Sequence, residues 1–107
     1  MKLVYIASPY TLGDTGENVH AQLQAAHTVM DLGHCPVAPL LDHFLHMHRP
    51  RPYQDWIDCC LAKVRRCDIV WRLPGESPGA EKEVAAAEQC GIPVAYNTSD
   101  LKHLLNK

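Results

Sequence analysis

Short apolar runs alternate along this chain with longer stretches of helical periodicity. Leu3 to Ala7 is a compact apolar run that Ser8-Pro9 ends, which predicts a first strand followed by a loop from Tyr10 to Gly16. Between Glu17 and Leu32 the apolar residues Val19, Leu23, Ala26, Val29 and Met30 recur at helical spacing, and Gly33 stops the helix. Cys35 to Ala38 reads as the second strand, Tyr53 to Arg66 as the second helix and Asp68 to Leu73 as the third strand. Pro78 to Cys90 then predicts a third helix, Ile92 to Tyr96 a fourth strand, and a short helix starts at Ser99. Ser77 is placed to cap the third of these helices, with Pro78 at its first position, where a missing N–H costs nothing.

Strands separated by helices imply a parallel sheet covered on both faces with right-handed crossovers. The expected fold is therefore α/β: a single-domain, doubly wound parallel sheet of Rossmann or flavodoxin type, three layers deep, with four to five strands in the order 2-1-3-4 or a close variant. Ligands of such sheets lie beyond the carboxyl ends of the strands. The loops leaving those ends begin at Ser8, Pro39, Pro74 and Tyr96, so these four places should build the pocket. The least regular stretch, Pro39 to Pro52, reads as a mobile loop over that pocket, with His43 or Phe44 touching the ligand. Its three histidines, His43, His46 and His48, lack a second cluster of ligating residues, so a metal is not expected there.

Composition narrows the class further. The 107 residues make one domain spanning 1–107, and a formal net charge of −2 without a basic run argues against nucleic acid as a partner. Nothing approaches a membrane span in length. Five cysteines with no Cys-x-x-Cys pair, and no signal-peptide pattern, point to a reducing cytoplasm. No cofactor motif is present.

The most informative stretch runs from Asp68 to Glu83, a covered strand that turns through Pro74-Gly75 into a capped helix with a carboxylate in its second turn. The backbone donors from Ser77 to Ala80 can cradle phosphate or ribose oxygens. The spacing Ser77, Gly79, Glu83, followed by Val84-Ala-Ala-Ala and Gly91-Ile-Pro-Val94, resembles the nucleoside 2-deoxyribosyltransferase-like superfamily, and especially its short bacterial and phage members related to the nucleoside 5′-monophosphate N-glycosidases. Val4-Tyr-Ile-Ala-Ser-Pro-Tyr10, Gly33-His-Cys-Pro-Val-Ala-Pro39, Trp56 and Cys67-Asp68 extend the resemblance over most of the chain.

The resemblance implies cleavage or exchange of the base of a nucleoside or nucleotide, with Glu83 as nucleophile and Tyr5 in contact with it. It also implies Ser8, Ser77 and Gly79 around the sugar or its phosphate. Pro9, Tyr10, His43, Gly75 and Pro78 are further substrate-binding candidates, and Arg72 is a candidate for the charge that a 5′-phosphate needs. A homodimer or larger homo-oligomer is implied too, with Tyr96-Asn97 near the interface and the Ala85-Ala86-Ala87 run offering apolar surface. Blander readings stand beside these: Glu83 as one more charge next to Glu81 and Lys82, Tyr5 as a core aromatic, Ser77 as a cap alone, Asp68 as structural, and Trp56 and Trp71 as core.

One position departs from the superfamily's pattern. Where many relatives carry an aspartate four residues after the tryptophan, this chain has Cys60, and Asp58 lies about 200° away around the helix. A thiol has a reference pKa of about 8.5, so it is a poorer proton donor to a leaving base. That keeps a second class open: a protein that binds a nucleotide-derived signal in the same pocket, as sensor or sponge, without turnover.

Overall fold

The computed structural model describes residues 1–107. Four parallel strands form one sheet in the order β2-β1-β3-β4, with β1 Leu3–Ala7, β2 Cys35–Val37, β3 Ile69–Arg72 and β4 Val94–Ala95. The helices are α1 Thr15–Asp31, α2 Asp42–His48, α3 Tyr53–Val64, α4 Pro78–Gln89 and α5 Thr98–Leu105, and a 3₁₀ turn Pro39–Leu41 leads into α2. The fold class and strand order expected from the alternating pattern are those observed.

Strand β1 has no exposed side after Leu3: Val4, Tyr5, Ile6 and Ala7 are all fully buried. Because successive side chains point to opposite faces, Val4 and Ile6 enter one core while Tyr5 and Ala7 enter the other. On the first face they pack with Ile69, Trp71, Ala25, Val29, Leu101 and Leu105, under α1 and α5. The second face brings Tyr5, Ala7 and Val70 against Val64, Ala80, Ala86 and Ala87 of α3 and α4. Ala86 and Ala87 therefore belong to the core, and the alanine run does not supply the apolar surface expected of it.

The periodicity misplaced the inner face of α1. Its buried residues are Gln22, Ala25 and Val29, whereas Leu23 and Met30 are partly exposed. A polar residue occupies the innermost stripe because it has three partners there. Gln22 Nε2 donates to the Ile6 carbonyl at 3.2 Å and to Ser8 Oγ at 2.8 Å, and its Oε1 accepts from the Leu40 N–H at 2.9 Å. One buried amide thus joins the end of β1 to the segment that follows β2.

Element ends shifted for local reasons. Helix α1 starts two residues early because Asp14 caps it, accepting from the Glu17 N–H at 3.3 Å. Asn97 does the same for α5, accepting from the Asp100 N–H at 2.7 Å. The larger correction concerns Pro39 to Pro52, which forms the 3₁₀ turn and α2 rather than an irregular loop. No residue of α2 is buried and no side chain caps it, so it carried no apolar periodicity to read. Its attachments are polar: Lys63 Nζ reaches Asp42 Oδ2 at 2.8 Å, and Trp56 Nε1 donates to His46 Nδ1 at 2.9 Å.

Two further contacts set the strand ends. Asp68 Oδ2 accepts from the Leu3 N–H at 2.8 Å, tying the start of β3 to β1. After β3, Gly75 adopts φ +115°, and a Cβ there would lie 2.7 Å from Pro9 Cγ, so the β1 and β3 exit loops meet at a distance only glycine permits.

Replacing Gln22 with Leu keeps the volume and strands the Leu40 N–H. We expect a loss of about 2 kcal/mol in urea unfolding and a thermal midpoint lower by roughly 10 °C. Leu23→Gln, on the half-exposed neighbouring stripe, should stay within about 0.5 kcal/mol of wild type. Equal losses at the two sites would contradict the assigned inner face.

Candidate functional site

Beyond the carboxyl ends of β1 and β3 lies a cleft of about 680 Å³, within the range of roughly 300–1,000 Å³ common to small-molecule sites. The β1 exit, α2, α3 and the start of α4 wall it. Helix α4 contributes most of the chemistry. Ser77 is extended and its Oγ accepts from the Ala80 N–H at 3.1 Å, Pro78 follows at the first helical position, and Glu83 lies in the second turn.

Glu83 is only 6% exposed and accepts a hydrogen bond from the Tyr5 hydroxyl, which β1 delivers from the opposite side. Glu83 is thus not the solvated glutamate that the sequence also allowed, while Tyr5 is the core aromatic it also allowed, with Glu83 as the partner of its hydroxyl. Burial pushes the Glu83 carboxyl up to about 7, against the opposing pull of the Tyr5 hydrogen bond and the positive charge of Arg72. Burial also raises the Tyr5 phenol far above its ordinary range, and the adjacent Glu83 charge adds to the effect. Tyr5 therefore stays a neutral donor while Glu83 is poised between its two forms near neutral pH. Perturbed, buried carboxyls in clefts are candidates for chemistry.

Ser8, Tyr10, His43, Ser77, Pro78 and Gly79 all line the cleft with Glu83. Ser8 Oγ accepts from Gln22, which leaves its own proton free to donate. Tyr10 and His43 are hydrogen-bonded side chain to side chain, their rings edge-on with centroids 5.6 Å apart. Four predicted residues stand outside the wall. Arg72 is buried behind it, bonded to the Leu73 carbonyl, to the Gly75 carbonyl at 2.8 Å and to Glu81 Oε1 at 2.9 Å. It clamps the β3–α4 loop and offers no group to the cleft. Pro9 and Gly75 meet each other instead, as the contact that seats that loop. Phe44 is 67% exposed and does not reach the cleft.

Helix α3 supplies what the sequence reading underused. Tyr53, Trp56, Ile57 and Cys60 recur at i, i+3, i+4 and i+7, one helical stripe, and all four line the cleft. Trp71 is core, as expected, but Trp56 is a wall residue whose indole N–H goes to His46. The stripe itself was the available signal; a tryptophan on it reads as core until the facing helix is found to be α2. Asp58 lies off this stripe, exposed and bonded to Gln54 Nε2 at 2.7 Å, so it brings no carboxylate to the cleft beside Cys60. Burial raises the Cys60 thiol further above its ordinary value. No group of three or more His, Cys, Asp or Glu residues is arranged to hold a metal ion, and no helix is long and apolar enough to cross a membrane.

The fold is shared with a solved 2-deoxyribosyltransferase from the psychrotolerant bacterium Bacillus psychrosaccharolyticus. The TM-score is 0.66 at 22% sequence identity, over 86% of this chain and 69% of that one. At this identity the likeness carries the fold and not the activity. No curated protein matches the sequence. The sequence model described as "Domain of unknown function (DUF7768)" matches residues 2–97, nearly the whole chain, and the protein belongs to that family.

Proposed function

We infer that the cleft binds a nucleoside and that Glu83 breaks its N-glycosidic bond, releasing or exchanging the base. The observation that carries this reading is the buried Glu83 carboxyl held by Tyr5 at the floor of a cleft with aromatic walls. Ionised Glu83 attacks the anomeric carbon, a C–O bond forms as the C–N bond breaks, and the electron pair leaves with the base nitrogen. Water or a second base then displaces Glu83 from the sugar. Tyr5 holds the carboxylate in line, and Ser8 with the α4 N-terminus receives the sugar hydroxyls. Arg51 is the one lining side chain with a permanent positive charge, and it stands on the α2–α3 loop rather than beside Ser77. That supports a nucleoside over a 5′-monophosphate.

A second reading has its own observation. Cys60 stands where many members of the superfamily that the chain resembles carry an aspartate, and its raised thiol makes it a weak acid for a leaving base. This favours a protein that holds a nucleotide-derived ligand without turnover.

Chromatography of the four 2′-deoxynucleosides after incubation with protein separates the two. In the enzyme reading Glu83→Ala abolishes base release and keeps binding within about tenfold, because a nucleophile acts mainly in the transition state. Base released equally by wild type and Glu83→Ala would overturn the role of Glu83; binding without release from any protein would leave the binder. Cys60→Asp should raise turnover by about 10²-fold, the usual worth of general-acid help. An unchanged rate would mean that protonation of the base does not limit the reaction.

The raised Glu83 acidity fixes two pH dependences of opposite sign. Base release needs the carboxylate, so its rate should climb about tenfold per pH unit and level off above pH 7. Stability should run the other way. The folded protein holds the Glu83 proton more tightly than the unfolded chain, whose value is near 4.5, so Glu83 costs nothing below about pH 4.5. The cost then grows as pH rises to about 7, reaching on the order of 3 kcal/mol. Glu83→Gln removes the charge and keeps an acceptor for Tyr5. It should match wild type in urea unfolding at pH 4.5 and exceed it at pH 8; parallel pH profiles would refute the buried, raised carboxyl.

A further inference from the structure

His46 lines the cleft from α2, and its two ring nitrogens are in different situations. Nδ1 accepts from two donors, the Trp56 indole N–H at 2.9 Å and the Arg51 backbone N–H at 3.2 Å. Neither group can accept in return. A proton on Nδ1 would turn three N–H groups on one another, so Nδ1 keeps its lone pair and the neutral ring carries its proton on Nε2. Nε2 takes part in no hydrogen bond within the protein, and it is the polar atom that His46 can present to a ligand. The edge-on Trp56 ring, centroid 5.6 Å away at 77°, holds the imidazole plane. His43 differs: its partner, the Tyr10 hydroxyl, both donates and accepts, so nothing fixes its tautomer.

The position suits a base rather than a sugar. Trp56 lies one helical turn, about 6 Å, from Cys60, which faces the Tyr5–Glu83 floor. A heterocycle whose sugar sits over Glu83 would reach that far along α3, against Tyr53, Trp56 and Ile57, with its edge toward α2. We propose that His46, fixed as the Nε2–H tautomer, is the base-selecting residue of this cleft: it donates to a ring nitrogen or carbonyl oxygen on the edge of the heterocycle and favours bases that present an acceptor there. The proposal rests on the nucleoside reading above and names the group that chooses among nucleosides.

Long-range ¹H–¹⁵N spectra of histidine-labelled protein at pH 7.5, recorded alone and with each of the four 2′-deoxynucleosides, test it without requiring turnover. The expected result is a single Nε2–H tautomer for His46 whose Nε2–H resonance moves when a preferred deoxynucleoside binds. Affinities of variants supply the second arm. His46→Phe should compress the differences among the four deoxynucleosides by about tenfold, the loss of one ligand hydrogen bond, and His46→Gln, which retains a donor, should restore part of the ranking. A His46 protonated at Nδ1, a deoxynucleoside that binds with the His46 resonances unmoved, or a uniform loss across all four with His46→Phe would each overturn the proposal alone. Failure of every deoxynucleoside to bind wild type would overturn the nucleoside reading, and this proposal with it. The tautomer and the resonance shifts are read on wild type, so the test survives a variant that fails to fold.

Discussion

A central strand covered on both faces has no place to put a polar side chain except against a partner. Strand β1 is such a strand, and Tyr5 is the residue that brings a hydroxyl into it. An apolar neighbour would leave that hydroxyl unsatisfied, and water does not reach it; a carboxyl from α4 meets the need. The carboxyl must then be buried in turn, which moves its acidity toward neutrality. The raised acidity constant of Glu83 is thus a by-product of closing the core, and one contact joins the sheet, α4 and the floor of the cleft.

The same economy runs through the rest of the cleft, where polar groups are engaged from behind and left with a single free direction. Gln22 donates to Ser8 Oγ, which leaves the hydroxyl proton free to donate. Arg72 is held by two loop carbonyls and Glu81, which shapes the β3–α4 turn while keeping the guanidinium out of the ligand space. The Arg72–Glu81 pair adds little stability of its own, because Glu81 is largely exposed. Its value is geometric. A site preorganised in this way does not have to reorient its dipoles when a ligand arrives.

Much of the frame was legible in the sequence because burial on two faces leaves unbroken apolar runs such as Val4 to Ala7 and Ile69 to Trp71, and because Ser77-Pro78 marks a helix start by its own chemistry. The succession of strands and helices was readable for that reason, whereas the meeting of Tyr5 with Glu83 was expected from the resemblance. What escaped the reading escaped for the opposite reason. Gln22 is polar on a buried stripe, Trp56 is apolar on a wall, and α2 has no buried residue at all, so hydropathy carried the wrong message or none. Arg72 looked like a free charge because its partners are backbone carbonyls, which no residue pattern records.

The lack of any buried residue in α2 has a bearing on how this family can diversify. The segment from Leu41 to His48 borders the cleft through Asp42, His43 and His46, and it contributes nothing to either core. Substitutions there leave the packing that stabilises the sheet untouched, whereas changes in β1 or α4 disturb the core and the cleft floor together. The architecture therefore separates a frame that tolerates little drift from a wall that tolerates much. A lineage built on it can change the lining of the cleft while keeping the frame beneath.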